Sequence, residues 1–235
     1  MKKSKRKVSQ RQKENRNKTK NIVFSNLEQA ISVLKETANT KFIETVELHA
    51  NLNINPKYAD QQLRTTITLP NKIGKTIKIA VLTNEENFEE AQNSGADIVG
   101  SDSLIENINQ GKIEFDLLIA TPNMMPKLAR LGRVLGPKGL MPSPKSGTVT
   151  TQLSQTLFDF KKGKFEYKAD KTGIVHVSFG KSNFSETSLI ENLLALYKSI
   201  EQNRPSGVKG NYFKSLFICT SMGPSIQLDL AVFTN

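Results

Sequence analysis

The segment from Lys127 to Gly147 reads Lys-Leu-Ala-Arg-Leu-Gly-Arg-Val-Leu-Gly-Pro-Lys-Gly-Leu-Met-Pro-Ser-Pro-Lys-Ser-Gly. It lies within a stretch, Leu117 to Phe158, that contains no Asp or Glu. Glycine lets a backbone come close to a partner, and proline stiffens the loop that carries it. Cations with no anions beside them attract a polyanion, of which nucleic acid is the commonest. Composition alone also fits a surface turn with a few solvated cations. The nucleotide-enzyme reading fares worse. Gly132, Gly136 and Gly139 lack the dinucleotide-fingerprint spacing, and Lys145-Ser146 follows a proline where a phosphate-binding loop has glycine.

The remaining reactive side chains give weaker signals. His49 and His176 sit in predicted strands far apart in sequence, and no second His or Cys stands at metal-ligand spacing. Cys219 lies in the apolar run Leu216-Phe-Ile-Cys219, where a thiol acts as a small hydrophobe. Glu85, Glu86, Glu89 and Glu90 read as a solvated helix face. Three short loops hold mixed chemistry: Lys41-Phe42, Lys171-Thr172-Gly173 and Ser221-Met222-Gly223. Phe42, between a helix end and a strand start, fits either a core plug or an exposed ring. No cofactor and no metal are expected.

Composition narrows the classes. Of 33 Lys and Arg, ten lie in residues 1–20; of 22 Asp and Glu, only one does. The rest of the chain carries 23 basic and 21 acidic residues and is nearly balanced. Residues 1–20 therefore read as a basic flexible tail that orders on a polyanion. They have no apolar core of a secretory signal and little of a transit peptide's Ser-rich character. No apolar run is long enough to span a bilayer. One cysteine, Cys219, cannot form an intrachain disulfide.

The elements that must position these groups follow from periodicity. Ser25-Asn-Leu-Glu28 has the form of a capping box, opening a helix through Ala38. Glu44 to Leu52 alternates as a strand, and Thr65–Leu69 is another. From Thr76 to Gly163 strands and helices alternate in short units: strands at 76–82, 97–99 and 116–120, helices at 85–93, 101–110, from Pro122 through Leu135, and 151–162. That alternation predicts a parallel sheet flanked by helices. Strands at 164–168 and 174–179, joined by Asp170-Lys-Thr-Gly173 as a hairpin, precede a helix at 189–200 and strands at 213–221 and 226–230. Neither end has much core alone. The expected organisation is a tail (1–20), a discontinuous α+β domain (21–70 plus 164–235), and an inserted α/β domain (71–163).

These motifs resemble the universal large-subunit ribosomal protein one family, in its bacterial and plastid form. The resemblance covers Ile22 to Asp229. It rests on Leu131-Gly-Arg-Val-Leu-Gly-Pro-Lys-Gly-Leu-Met-Pro142, Pro144-Lys-Ser-Gly-Thr-Val149, Lys41-Phe-Ile-Glu-Thr-Val-Glu47, Asp170-Lys-Thr-Gly173 and Met222-Gly-Pro224, in that family's order. It implies a discontinuous α+β domain with an inserted Rossmann-like three-layer α/β domain, no enzymatic activity, and binding of large-subunit ribosomal RNA. It implies RNA contact by Lys41, Phe42, Glu44, Thr45, Lys171, Thr172, Gly173, Ser221, Met222 and Gly223, with a secondary contact from Arg133, Lys138 and Lys145. The family usually has Thr where Ser221 stands and often Gly where Thr65 stands, so Arg64 is left off the contact set. Further implied partners are exit-site transfer RNA and the chain's own messenger RNA, which such proteins can repress. A free repressor acting on messenger RNA through the same surface is the first rival, and a nucleotide-dependent enzyme is the second. Lys, Asn and Ile usage resembles an algal plastid-encoded member, with a bacterial cytoplasm as the alternative. Removing residues 1–20 is expected to flatten the salt dependence of polyanion binding while leaving its sequence preference intact. Equal salt slopes with and without the segment would contradict this.

Overall fold

The computed structural model describes residues 9–20, 22–74 and 77–233. The chain is a mixed α/β protein of two compact units, one comprising Met1–Leu63, Leu69–Ile73 and Tyr167–Asn235, the other Arg64–Thr68 and Gly74–Glu166. In chain order the elements are α1 (Gln10–Thr19), β1 (Val23–Phe24), α2 (Leu27–Thr37), β2 (Thr45–Leu52), β3 (Arg64–Thr68), β4 (Ile79–Leu82), α3 (Phe88–Asn93), β5 (Ile98–Gly100), α4 (Asp102–Asn109), β6 (Leu117–Ala120), α5 (Met125–Ala129), α6 (Gly132–Lys138), α7 (Leu153–Lys161), β7 (Lys164–Lys168), β8 (Ile174–Lys181), α8 (Glu186–Gln202), β9 (Phe213–Thr220) and β10 (Ile226–Leu228). Among the described residues no helix is long and apolar enough to cross a membrane.

The first unit is a five-stranded sheet, ordered β1-β10-β9-β2-β8, with helices against one face. Strand β2 sits between β9 and β8, antiparallel to both. Its alternation sends Val46, Leu48, Ala50 and Leu52 into the core and leaves Thr45, Glu47, His49 and Asn51 half-buried on the other face. The core is completed by α2, through Ile31 and Leu34, and by α8, whose Leu189, Leu193, Leu196 and Ile200 form a helical stripe. One polar residue interrupts that stripe. Asn192 is fully buried, and its amide nitrogen donates to the carbonyls of Asn71 (2.9 Å) and Phe179 (2.8 Å). Its side-chain oxygen accepts the Asn71 N–H at 2.9 Å, so α8 holds the 69–73 segment in place.

The second unit is a parallel sheet ordered β5-β4-β6. Every residue of β4 is buried, as expected for a parallel strand covered on both faces. Ile79 and Val81 pack with α3 and α7, while Ala80 and Leu82 pack with α4, α5 and α6. Strands β3 and β7 pair as a separate two-stranded sheet where the chain passes between units, with Arg64 ion-paired to Glu166.

Several local expectations are corrected. Residues 10–19, expected as flexible tail, form a helix capped by Ser9, whose hydroxyl accepts the Gln12 N–H. Its anchor is polar: Asn15 is buried and donates to the Thr37 carbonyl at 3.0 Å. Residues 1–8 lie outside the described residues. Helix α2 is capped by Asn26 instead of Ser25, because the shorter Asx loop lets Asn26 accept the Glu28 N–H at 2.8 Å. The 164–168 and 174–179 strands do not form a hairpin. β7 pairs with β3 and β8 with β2, leaving a single bridge between Ala169 and Val175. The helix expected from Pro122 through Leu135 is a short turn, α5 and α6, broken at Arg130-Leu131.

Asn192→Ala is expected to destabilise the first unit by about 2–4 kcal/mol, since two carbonyls and an N–H lose their partner. Urea denaturation measures this; a loss under about 0.5 kcal/mol would contradict the anchoring role.

Candidate nucleic-acid interface

The 41–45 and 221–223 segments meet at one end of the five-stranded sheet. The register sets Val46 beside Thr220, so the chain leaving β9 runs past the chain entering β2. The Thr45 N–H donates to Ser221 Oγ (3.1 Å), and the Ser221 N–H donates to the Thr45 carbonyl (3.0 Å). The Met222 N–H donates to the Glu44 carboxylate at 2.8 Å. Ser182 closes the third side, exchanging backbone and hydroxyl bonds with Glu44. These ties leave three large apolar side chains in the open: Phe42 is 56% exposed, Ile43 58% and Met222 49%. Phe42 is therefore a surface ring, the less common of its two fates.

Two of the expected contact residues lie beneath the surface. Glu44 is fully buried, so it shapes the loop from within. Its Oε1, like the nearby Thr220 Oγ1, is buried without a hydrogen-bond partner. Gly173 is also buried; a Cβ there would stand 3.2 Å from Ile54, and its φ of +85° belongs to glycine. Gly223 is needed for space, because a Cβ would collide with the Thr220 hydroxyl.

The Lys171–Gly173 turn lies elsewhere. Asn51 pairs with Ile174 and Thr45 with Lys181, so this turn flanks the far end of β2. Seven residue steps separate the two ends, about 23 Å along the strand. The turn is stiff. Asp170 accepts the N–H groups of Thr172 (2.9 Å) and Ile174 (2.8 Å) and the Thr172 hydroxyl (2.7 Å). Those bonds, the Ile174 amide first, hold its carboxyl below the usual range. Lys171 and Thr172 are exposed.

Sequence reasoning missed neighbours that strand pairing supplies. Lys181 donates to Thr45 Oγ1 at 2.7 Å and adds a cation to the Phe42 end. Helix α1 lies beside this end: its Asn15, Arg16 and Thr19 line an open groove of about 590 Å³ with Phe217, Met222 and Gly223. Such contacts join segments 136 or more positions apart, and no local pattern announces them. Cys219 is half-buried, and burial pushes its thiol up, followed by the charges of Glu47 and Glu44, so it is no activated nucleophile. Burial, then His176, lowers the His49 pKa, with Glu47 opposing.

In the second unit Arg133, Lys138 and Lys145 are exposed. The first two lie on α6, which ends in a Schellman turn: Gly139 at φ +72° lets the Leu140 N–H reach the Leu135 carbonyl at 3.0 Å. Lys145 sits in the turn just before Gly147. Lys127, in the same motif, is paired with Asp102 at 2.7 Å.

Residues 34–224 match the Ribosomal protein L1p/L10e family. The chain is 78% identical to the large ribosomal subunit protein uL1c of Trieres chinensis over 97% of its own length and 99% of that protein. It is 77% identical to uL1c of Phaeodactylum tricornutum, over 97% and 99% of the two chains. It is 54% identical to the large ribosomal subunit protein uL1 of Prochlorococcus marinus subsp. pastoris, over 96% and 95%.

Gly223→Ala is expected to destabilise the 221–223 loop by about 1–3 kcal/mol through overpacking. Pairing it with Thr220→Ala, which removes the colliding hydroxyl, should recover most of that loss. Thermal unfolding of the single and double variants measures both, and a harmless Gly223→Ala would contradict the packing argument.

Proposed function

This chain belongs to the ribosomal protein L1p/L10e family, and on that footing we propose that it is a non-catalytic constituent of the large ribosomal subunit. It binds large-subunit ribosomal RNA through the Phe42–Met222 end of the five-stranded sheet. The observation that carries this reading is the exposure of Phe42, Ile43 and Met222 on segments that backbone and carboxylate hydrogen bonds hold together. Exposed apolar groups set in a rigid polar frame suit splayed bases and ribose faces better than solvent. Thr45 and Ser221 offer hydroxyls to 2′-OH groups, while Lys41 and Lys181 balance phosphate charge.

Lys171 and Thr172, about 23 Å away along the sheet, meet a second stretch of the same RNA. The exposed Arg133, Lys138 and Lys145 give the second unit a weaker, charge-driven contact with RNA. Transfer RNA leaving the exit site is the further partner of the assembled subunit. A message that imitates the ribosomal site engages the same surface, which is how the chain represses its own synthesis. The plastid-type designation of the Trieres chinensis and Phaeodactylum tricornutum relatives supports placing it on plastid ribosomes.

Phe42→Ala is expected to weaken binding to large-subunit RNA by about 1–3 kcal/mol, the scale of a lost aromatic stack. Its melting temperature should stay unchanged, because the ring is solvent-exposed. A variant that melts early yet binds normally would contradict the role assigned to Phe42.

A further inference from the structure

The face of the five-stranded sheet opposite α2 and α8 carries a second cluster, next to the Glu44–Ser221 end. Strand pairing sets Glu47 opposite Cys219 on one side of β2 and His49 opposite His176 on the other. Glu47 and His49, two residues apart, share that face. His49 Nε2 lies 3.1 Å from Cys219 Sγ and 3.8 Å from Glu47 Oε2. The ligand atoms of all three residues fall within 4.8 Å of one another. In a tetrahedral zinc site with bonds of about 2.3 Å to sulfur and 2.0 Å to nitrogen, those two ligands stand about 3.5 Å apart. The observed separation needs only a few tenths of an ångström of adjustment.

The geometry points to a zinc site made by Glu47, His49 and Cys219, with its fourth position open to water. A thiolate, an imidazole and a carboxylate form a donor set suited to zinc. The surroundings supply the support that a ligating imidazole needs. His49 Nδ1 lies 2.7 Å from His176 Nδ1, so His49 donates there and turns its Nε2 lone pair toward the cluster. His176 Nε2 in turn lies 3.8 Å from Asp170 Oδ2, which favours the His176 tautomer that accepts from His49. On binding, the Cys219 S–H gives its proton to solvent, a zinc–sulfur bond replaces a zinc–water bond, and the ion ties β2 to β9. This site is independent of the RNA-binding reading, and either can fail alone.

The test is a Co²⁺ titration of the metal-free full-length chain. One equivalent should give a tetrahedral visible spectrum with a thiolate-to-cobalt charge-transfer band, and Zn²⁺ should abolish both. Cys219→Ser should lose the charge-transfer band. Glu47→Gln, at a partly exposed side chain, should bind zinc at least tenfold more weakly, and His176→Gln, which removes the orienting partner, about tenfold more weakly. One equivalent of zinc should also raise the melting temperature of the unaltered chain but not of Cys219→Ser. Absence of a saturable band at one equivalent would overturn the site, as would equal zinc affinity for the unaltered chain and Glu47→Gln. The second comparison decides even if Cys219→Ser folds poorly.

Discussion

A single buried carboxylate holds the proposed interface together. Glu44 is out of solvent, and one of its oxygens accepts the Met222 N–H, 178 positions along the chain. Beside it, Thr45 and Ser221 exchange backbone and hydroxyl bonds. Burying a carboxylate is costly unless hydrogen bonds offset it. Here the compensation is incomplete, since Glu44 Oε1 lacks a partner. That carboxylate stands where two distant segments share a surface, and its bond to the Met222 N–H fixes their spacing.

The sheet provides the rigid base for this arrangement. Two neighbours flank β2, and its alternation separates an apolar inner face from a half-buried outer one. Core burial fixes the register, because a one-residue slip would turn Leu48 and Ala50 outward. The same register then determines everything on the rims and on the outer face. It sets Met222 near Glu44, sends the Lys171–Gly173 turn to the opposite end, and gathers Glu47, His49, Cys219 and His176. Packing on one side of the sheet thus specifies chemistry on the other.

Much of the fold was legible because it is written in short-range patterns. The alternation from Glu44 to Leu52, the stripe of α8 and the α/β alternation between Thr76 and Gly163 each have a local signature. Helix α1 had none, being held by Asn15 and the Lys18–Glu36 ion pair with no apolar residue of its own. The hairpin expected at Asp170–Gly173 failed because its strands find better partners far away, in β3 and β2. At the site, sequence supplied the residue types, and the family resemblance supplied their grouping. Neither could show that Glu44 and Gly173 are buried, or that Lys181 joins the Phe42 end. The histidines and Cys219 looked unrelated for the same reason: 170 positions separate His49 from Cys219, and only strand pairing brings them together.

The central claim is that Phe42 and Met222 belong to one RNA-facing surface. It is tested most directly by placing a photoreactive amino acid at each position in turn and mapping the crosslinked nucleotides in purified ribosomes. Both positions should label the same short stretch of large-subunit RNA. Labels on separate RNA elements, or on protein alone, would contradict it.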